Sequence, residues 1–182
     1  MGSKMRQFLN DYFGTLEIDT ENVGDIGVAG KPRKYKCLGF KCKKYHEFDV
    51  VQYDDHIEDL DLNKKYYKYK DYFDVLFCTE VFDHIVNPAQ AIENIYSMLK
   101  KGGVLYLSVA FIYPQHGEKD YLRYTNHGLM KLFKDANFSK IKVTNRVATD
   151  GLEHLKKFYE AEGMLVEENY HDLIGFIVKA IK

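Results

Sequence analysis

Residues 72–111 constrain the fold more than any other part of the chain: YFDVLFCTEVFDHIVNPAQAIENIYSMLKKGGVLYLSVAF. Residues 73–78 form a short apolar run bounded by charge, the pattern of a parallel strand buried on both faces. Asn87-Pro88 opens a helix, with proline in the first turn, where its missing N–H is tolerated. Ile92, Ile95, Tyr96 and Leu99 fall at helical spacing and make one apolar face. Lys100 and Lys101 suit the negative end of the helix dipole, and Gly102-Gly103 stops the helix. Residues 104–109 read as a second buried strand. Strand, helix and strand in one sheet form a right-handed crossover. Ligands of such sheets bind beyond the carboxyl ends of the strands, which places residues 78–84 and 110–117 on the rim of a candidate site.

Other elements follow from periodicity. Residues 5–13 make a short amphipathic helix with Phe8, Leu9, Tyr12 and Phe13 on its apolar side, either packed on a sheet edge or set as a lid. Residues 22–28 read as the first strand, and residues 35–40 and 48–53 as two more. Residues 61–71 read as a charged, tyrosine-rich loop. Thr125 starts a helix that runs to Ala136, with Asn137 where a left-handed residue ends it. Residues 141–147 are a strand and 152–162 a helix with Leu152, Leu155 and Phe158 facing in. Residues 174–181 are a terminal strand suited to a sheet edge.

With 182 residues the chain reads as one domain spanning 1–182, long enough to bury a sizeable core. A formal net charge of −1 gives no global field to draw nucleic acid or an anionic membrane. The basic, aromatic stretch over residues 31–44 reads as a solvated edge beside its acidic neighbours. Three cysteines argue against a disulfide framework. Cys37 and Cys42 lack the second pair that a zinc site requires, so no metal is expected. No apolar run reaches membrane-spanning length, and the first residues do not read as a secretory signal. A cytoplasmic enzyme is the default.

The order of pieces over residues 72–111 resembles the second half of a class I S-adenosylmethionine-dependent methyltransferase of the type-11 group. The Val81-Phe82-Asp83-His84 turn, Asn87-Pro88 and the Leu99-Lys100-Lys101-Gly102-Gly103 ending all match that pattern. The resemblance implies an α/β three-layer sandwich: a mostly parallel, Rossmann-like sheet with an antiparallel last strand. It implies S-adenosylmethionine as cofactor and a small-molecule or glycan-like methyl acceptor. Upstream, Asp25-Ile26-Gly27-Val28-Ala29-Gly30 resembles the first motif of the same family, an acid followed by glycines that let backbone amides approach a ligand. The resemblance makes Asp25, Gly27 and Gly30 cofactor-binding.

Two features depart from the family. Pro32 and the few residues before Tyr35 leave no room for the usual first crossover helix. The acid at the end of the second strand, which the family uses to hold the ribose diol, depends on the register. If residues 35–40 are strand two, the register we prefer, that position falls near Phe40 or Lys41 and the acid is absent. Residues 48–51 are then strand three, and Asp54 or Asp55 faces the adenine amino group. If residues 48–53 are strand two, Asp54 or Asp55 is the ribose acid.

Methyl transfer from a sulfonium is an in-line displacement that depends mainly on positioning, and a base is needed only where the acceptor loses a proton. The resemblance puts Cys78 and Glu80 beside the methionine end of the cofactor; Glu80 binds an ammonium there or caps the next turn. His84 matches the family's turn histidine, a base or a brace. Residues 113–125 resemble a subset with Tyr-Pro-x-His-Gly followed by Asp-Tyr-x-Arg-x-Thr, in which this loop covers the acceptor. That makes His116 the leading base or acceptor-orienting residue, and Tyr113, Tyr121 and Arg123 the pocket lining, unless Arg123 pairs with Asp120 to fix the loop. A methyltransferase-like domain without cofactor binding, acting in binding or assembly, is the alternative. A nicotinamide-dependent oxidoreductase is disfavoured because the glycine loop opens no long helix. The edge left by the missing helix suits a homodimer.

Overall fold

The computed structural model describes residues 4–30, 32, 36–115, 117–147, 157, 159–163 and 173–182. The elements in chain order are α1 (Lys4–Phe13), β1 (Glu17–Ile26), β2 (Gly39–Asp49), β3 (Ile57–Asp59), β4 (Phe73–Thr79), α2 (Pro88–Met98), β5 (Leu99–Ala110), α3 (Asn126–Asp135), β6 (Ser139–Val147) and β7 (Leu173–Ile181). The expected helix over residues 152–162 falls largely outside the described residues, and His116 falls outside them entirely.

The strands form one seven-stranded sheet in the order β3-β2-β1-β4-β5-β7-β6. Strands β3 to β5 across that order are parallel. Strand β7 runs antiparallel to both β5 and β6. The result is the α/β sandwich that the resemblance implies. Leu9 and Phe13 of α1 pack with Ile18, Val23, Phe77 and Ile177 on one face. Helices α2 and α3 bury Ile92, Ile95, Leu129 and Phe133 on the other.

Helix α2 starts as expected: the Asn87 side chain accepts from the Gln90 amide, with Pro88 in the first turn. It ends earlier than expected, at Met98. Lys100 then lies in β5 and pairs with Asp74 at 2.7 Å. Thr125 caps α3 through Gly128 N, and Asn137 takes φ +66° at its end.

Three strand assignments change. The two short strands expected over residues 35–40 and 48–53 are replaced by one strand, β2, which holds only residues 39–40 of the first and 48–49 of the second and pairs with β1 from Gly39 to Phe48. Lys41, Lys43 and Lys44 in its middle are exposed, because little covers that stretch, and their charge hides the strand. The third strand is Ile57–Asp59 rather than residues 48–51. The terminal strand β7 is interior, not an edge; its near-continuous apolar sequence is buried between β5 and β6.

The short first crossover has a geometric cause. Strand β2 starts level with Glu17, so residues 27–38 must retrace the ten-residue β1. That distance is about 33 Å, whereas an α-helix of the available length covers about 18 Å. A full crossover helix does not fit. Helix α1 covers the sheet face instead, its Phe13 ring edge-on to Phe77 at 5.6 Å. Among the described residues no helix is long and apolar enough to cross a membrane.

Phe13 is almost wholly buried. We expect Phe13→Ala to cost about 3–5 kcal/mol, read as a lower urea midpoint at unchanged slope. A loss below about 1 kcal/mol would place α1 outside the cooperative core.

Candidate functional site

The carboxyl ends of β1, β2 and β4 open on a cleft of about 1090 Å³, lined by residues 26–30, 49–51, 60–63, 79–81 and 84–86 with Lys119 and Tyr121. Its position is the one expected of an open parallel sheet, where strand order reverses beside β1. Its size matches that of small-ligand pockets.

The glycine loop forms the floor. Gly27 has φ +76° and its amide donates to the Phe48 carbonyl at 2.8 Å. A Cβ on Gly27 would stand 2.2 Å from Val81 Cγ2, so the glycine is needed both for backbone sign and for space. Gly30, at φ +66°, faces open space.

Strand β2 ends in an acid that the preferred register had missed. Asp49 lines the cleft, its Oδ2 accepting from Ala29 N at 2.9 Å and its Oδ1 from Val51 N at 3.1 Å. Each oxygen keeps a lone pair for a further donor. The acid at the end of strand two is therefore present. Asp61, after β3, lines the same wall, where it accepts from the Asn63 amide and pairs with Lys64 at 3.2 Å. Ile26, Val28, Leu60 and Leu62 supply apolar walls between these acids.

Other expected residues lie elsewhere. Asp25 is fully buried on the α1 side of the sheet, where its Oδ2 accepts from the Tyr45 hydroxyl at 2.7 Å, and it does not line the cleft. Burial, with the Asp25 charge adding to it, pushes the nearby Cys37 thiol up to about 11. Cys78 is buried in the core rather than set on the rim. Asp54 and Asp55 are exposed; Asp54 lines, with Glu47 and His56, a depression that adjoins the cleft and shares Gly30, Pro32 and Tyr53 with it. Among the described residues no cluster of His, Cys, Asp and Glu could hold a metal ion.

Glu80 does stand at the cleft. It adopts φ +57°, and its Oε1 accepts from Ser108 Oγ at 2.6 Å and from Arg146 Nη1 at 2.7 Å. Sequence reasoning missed Arg146, since an arginine in a strand with alternating polar residues reads as solvent-facing.

The loop after β5 is sewn onto the 3₁₀ turn Phe82–His84. Tyr121 N donates to the Asp83 carbonyl at 2.8 Å, and the Tyr124 hydroxyl to the Phe82 carbonyl at 2.9 Å. His84 Nδ1 lies 2.6 Å from the Lys119 carbonyl, which only accepts, so Nδ1 carries the proton there. Arg123 grips Asp120 with both terminal nitrogens and reaches the Leu122 and Tyr113 carbonyls. It fixes the loop and does not line the cleft; Tyr113 also stays outside, whereas Tyr121 lines it.

Comparisons with known proteins agree with this geometry. The methyltransferase domain family matches residues 11–143. The chain belongs to that family, within the class I S-adenosylmethionine-dependent methyltransferases. No curated protein matches the sequence. Among solved structures, the fold resembles an S-adenosylmethionine-dependent methyltransferase from Mesorhizobium loti, with a TM-score of 0.67 and 16% identity over 100% of this chain and 99% of that one. It also resembles phosphoethanolamine N-methyltransferase 2 of Haemonchus contortus, solved with S-adenosyl-L-methionine, at 0.65 and 16% over 97% of this chain. The present chain spans about half (52%) of that enzyme's length. The cyclase SpnF shares the fold at 0.63 and 15%, over 96% of this chain and 79% of that one.

Asp83 offers a check on the electrostatics. Burial pushes its carboxyl up; His84 opposes this, and Glu80 and Asp120 push the same way as burial. A carboxyl raised in the folded state destabilises the fold as pH rises through its folded value. We expect Asp83→Asn to raise the thermal midpoint at pH 8, with the gain shrinking toward pH 4. An equal loss at both pH values would contradict the burial effect.

Proposed function

We propose that the chain transfers a methyl group from S-adenosylmethionine to a small-molecule or glycan-like acceptor. Asp49 carries the reading: a carboxylate at the end of β2, beside a glycine loop whose backbone it already holds, in a cleft of nucleoside size. The residues fit the cofactor. Asp49 accepts from the ribose hydroxyls with the lone pairs its amide contacts leave over. The apolar walls of residues 26–28 and 60–62 flank the base, and Asp61 stands near its amino group. When bound, the cofactor supplies an electrophilic methyl on a sulfonium.

The protein's part is orientation and exclusion of water. Segment 119–124 roofs the acceptor side, held by the Asp120–Arg123 pair and by His84. With Nδ1 committed to the Lys119 carbonyl, His84 braces this loop. His116 is the candidate base where the acceptor is a hydroxyl. The reading carries a cytoplasmic location and allows a homodimer across the thinly covered β2–β3 edge. Sedimentation showing only monomer would remove the dimer.

The length limit on residues 27–38 favours a second reading, a domain of this family whose cofactor site has weakened and which serves in binding or assembly. Calorimetric titration with S-adenosylhomocysteine separates the two. We expect micromolar binding to the wild type, a weakening of about tenfold or more in Asp49→Ala, and no binding in Gly27→Val. Absence of wild-type binding at millimolar ligand would sink the enzymatic reading.

A further inference from the structure

We propose that Arg146 is a positioning residue, which acts from the outer strand β6 to hold the Glu80 carboxylate as the seat for the cofactor's ammonium group. The inference rests on S-adenosylmethionine being the ligand of the cleft. An edge strand normally turns its charged residues to water, yet Arg146 has the largest fully buried side chain of the described residues. Burial of a guanidinium costs several kcal/mol unless it is paired and hydrogen-bonded. Its Nη1 is 2.7 Å from Glu80 Oε1 and 3.4 Å from the Val109 carbonyl.

Ser108 Oγ donates to the same Glu80 Oε1 at 2.6 Å, and the Glu80 amide donates to the Ser108 carbonyl at 3.0 Å. Both donors therefore fall on one oxygen. The other, Oε2, takes no protein donor among the described residues, and the side chain, 36% exposed, lines the cleft. The left-handed backbone at Glu80 fixes where the side chain starts, a conformation that costs a non-glycine residue energy and persists only where its surroundings enforce it. A carboxylate held at one oxygen and open at the other is built to accept one more charge-assisted hydrogen bond. Of the cofactor's groups, the α-ammonium is the donor this oxygen suits.

The test compares binding of S-adenosylhomocysteine with that of its desamino analogue, in which the ammonium is replaced by hydrogen. Wild-type protein is expected to prefer the amino ligand by about tenfold or more. In Glu80→Gln and in Arg146→Lys the preference falls toward one, while affinity for the desamino analogue stays within about twofold. A general loss of structure would weaken both ligands together, so the ratio isolates positioning. Should Arg146→Lys fail to unfold cooperatively, Ser108→Ala removes the second donor without stranding a buried charge, and a preference lowered about threefold is expected. A folded Arg146→Lys or Ser108→Ala variant that keeps the full preference overturns the role of the network. A Glu80→Gln variant that keeps it overturns the ammonium seat while leaving the methyltransferase reading intact. Failure of wild-type protein to bind either ligand overturns both.

Discussion

The bare α-carbon of Gly27 against the Val81 side chain is the joint on which the site depends. It brings the loop after β1 into contact with the loop after β4, closer than any residue with a Cβ would allow. From that contact the glycine loop turns back across the end of β2, where the Phe48 carbonyl and the Asp49 carboxylate hold it. Val81 continues into the 3₁₀ turn that anchors the loop after β5. The loops after β1 and β4 thus meet at one close contact at the centre of the sheet.

Around that joint the molecule is asymmetric. The second half is built in the usual way, with α2 and α3 packed on one face with Leu76, Leu105 and Leu107. The first half lacks chain length for a crossover helix, and one short helix with Leu9 and Phe13 covers the face in its place. Arg6, Leu9 and Phe13 consequently reach the cleft wall. The economy in residues leaves the strands themselves intact, so the ends of β1 and β2 still present Gly27 and Asp49 together.

The β4–α2–β5 unit was legible in the sequence because buried parallel strands are apolar throughout and a helix between them has a sharp stripe. Strand β2 was not, because Lys41, Lys43 and Lys44 mark a strand only where one knows that little covers it. Misplacing its end shifted the acid: Phe48-Asp49, a buried aromatic followed by a carboxylate, was the signal available, and Asp54 and Asp55 drew attention instead. Asp25 matched a motif by type, but its side chain points to the α1 side, a matter of strand parity that the motif does not encode. Arg123 was legible as the partner of Asp120 from their spacing. Arg146 was not, since nothing near Asn145-Arg146-Val147 shows that the sheet there is covered, and a long-range partner such as Glu80 leaves no local trace.

The place of β7 bears on the order of assembly during synthesis. The chain makes β6 first, yet β6 reaches the sheet only through β7, which wedges between it and β5. Until residues 173–181 have emerged, β5 keeps an open edge, β6 has no strand to pair with among the described residues, and Arg146 has nothing to reach across. Parallel strands β1, β2 and β4 can pair early, but the far third of the sheet waits for its latest-made strand, and the apolar edge of β5 must be shielded in the meantime. The buried arginine is thereby among the last groups to find its place, and its pairing with Glu80 coincides with closure of the whole sheet.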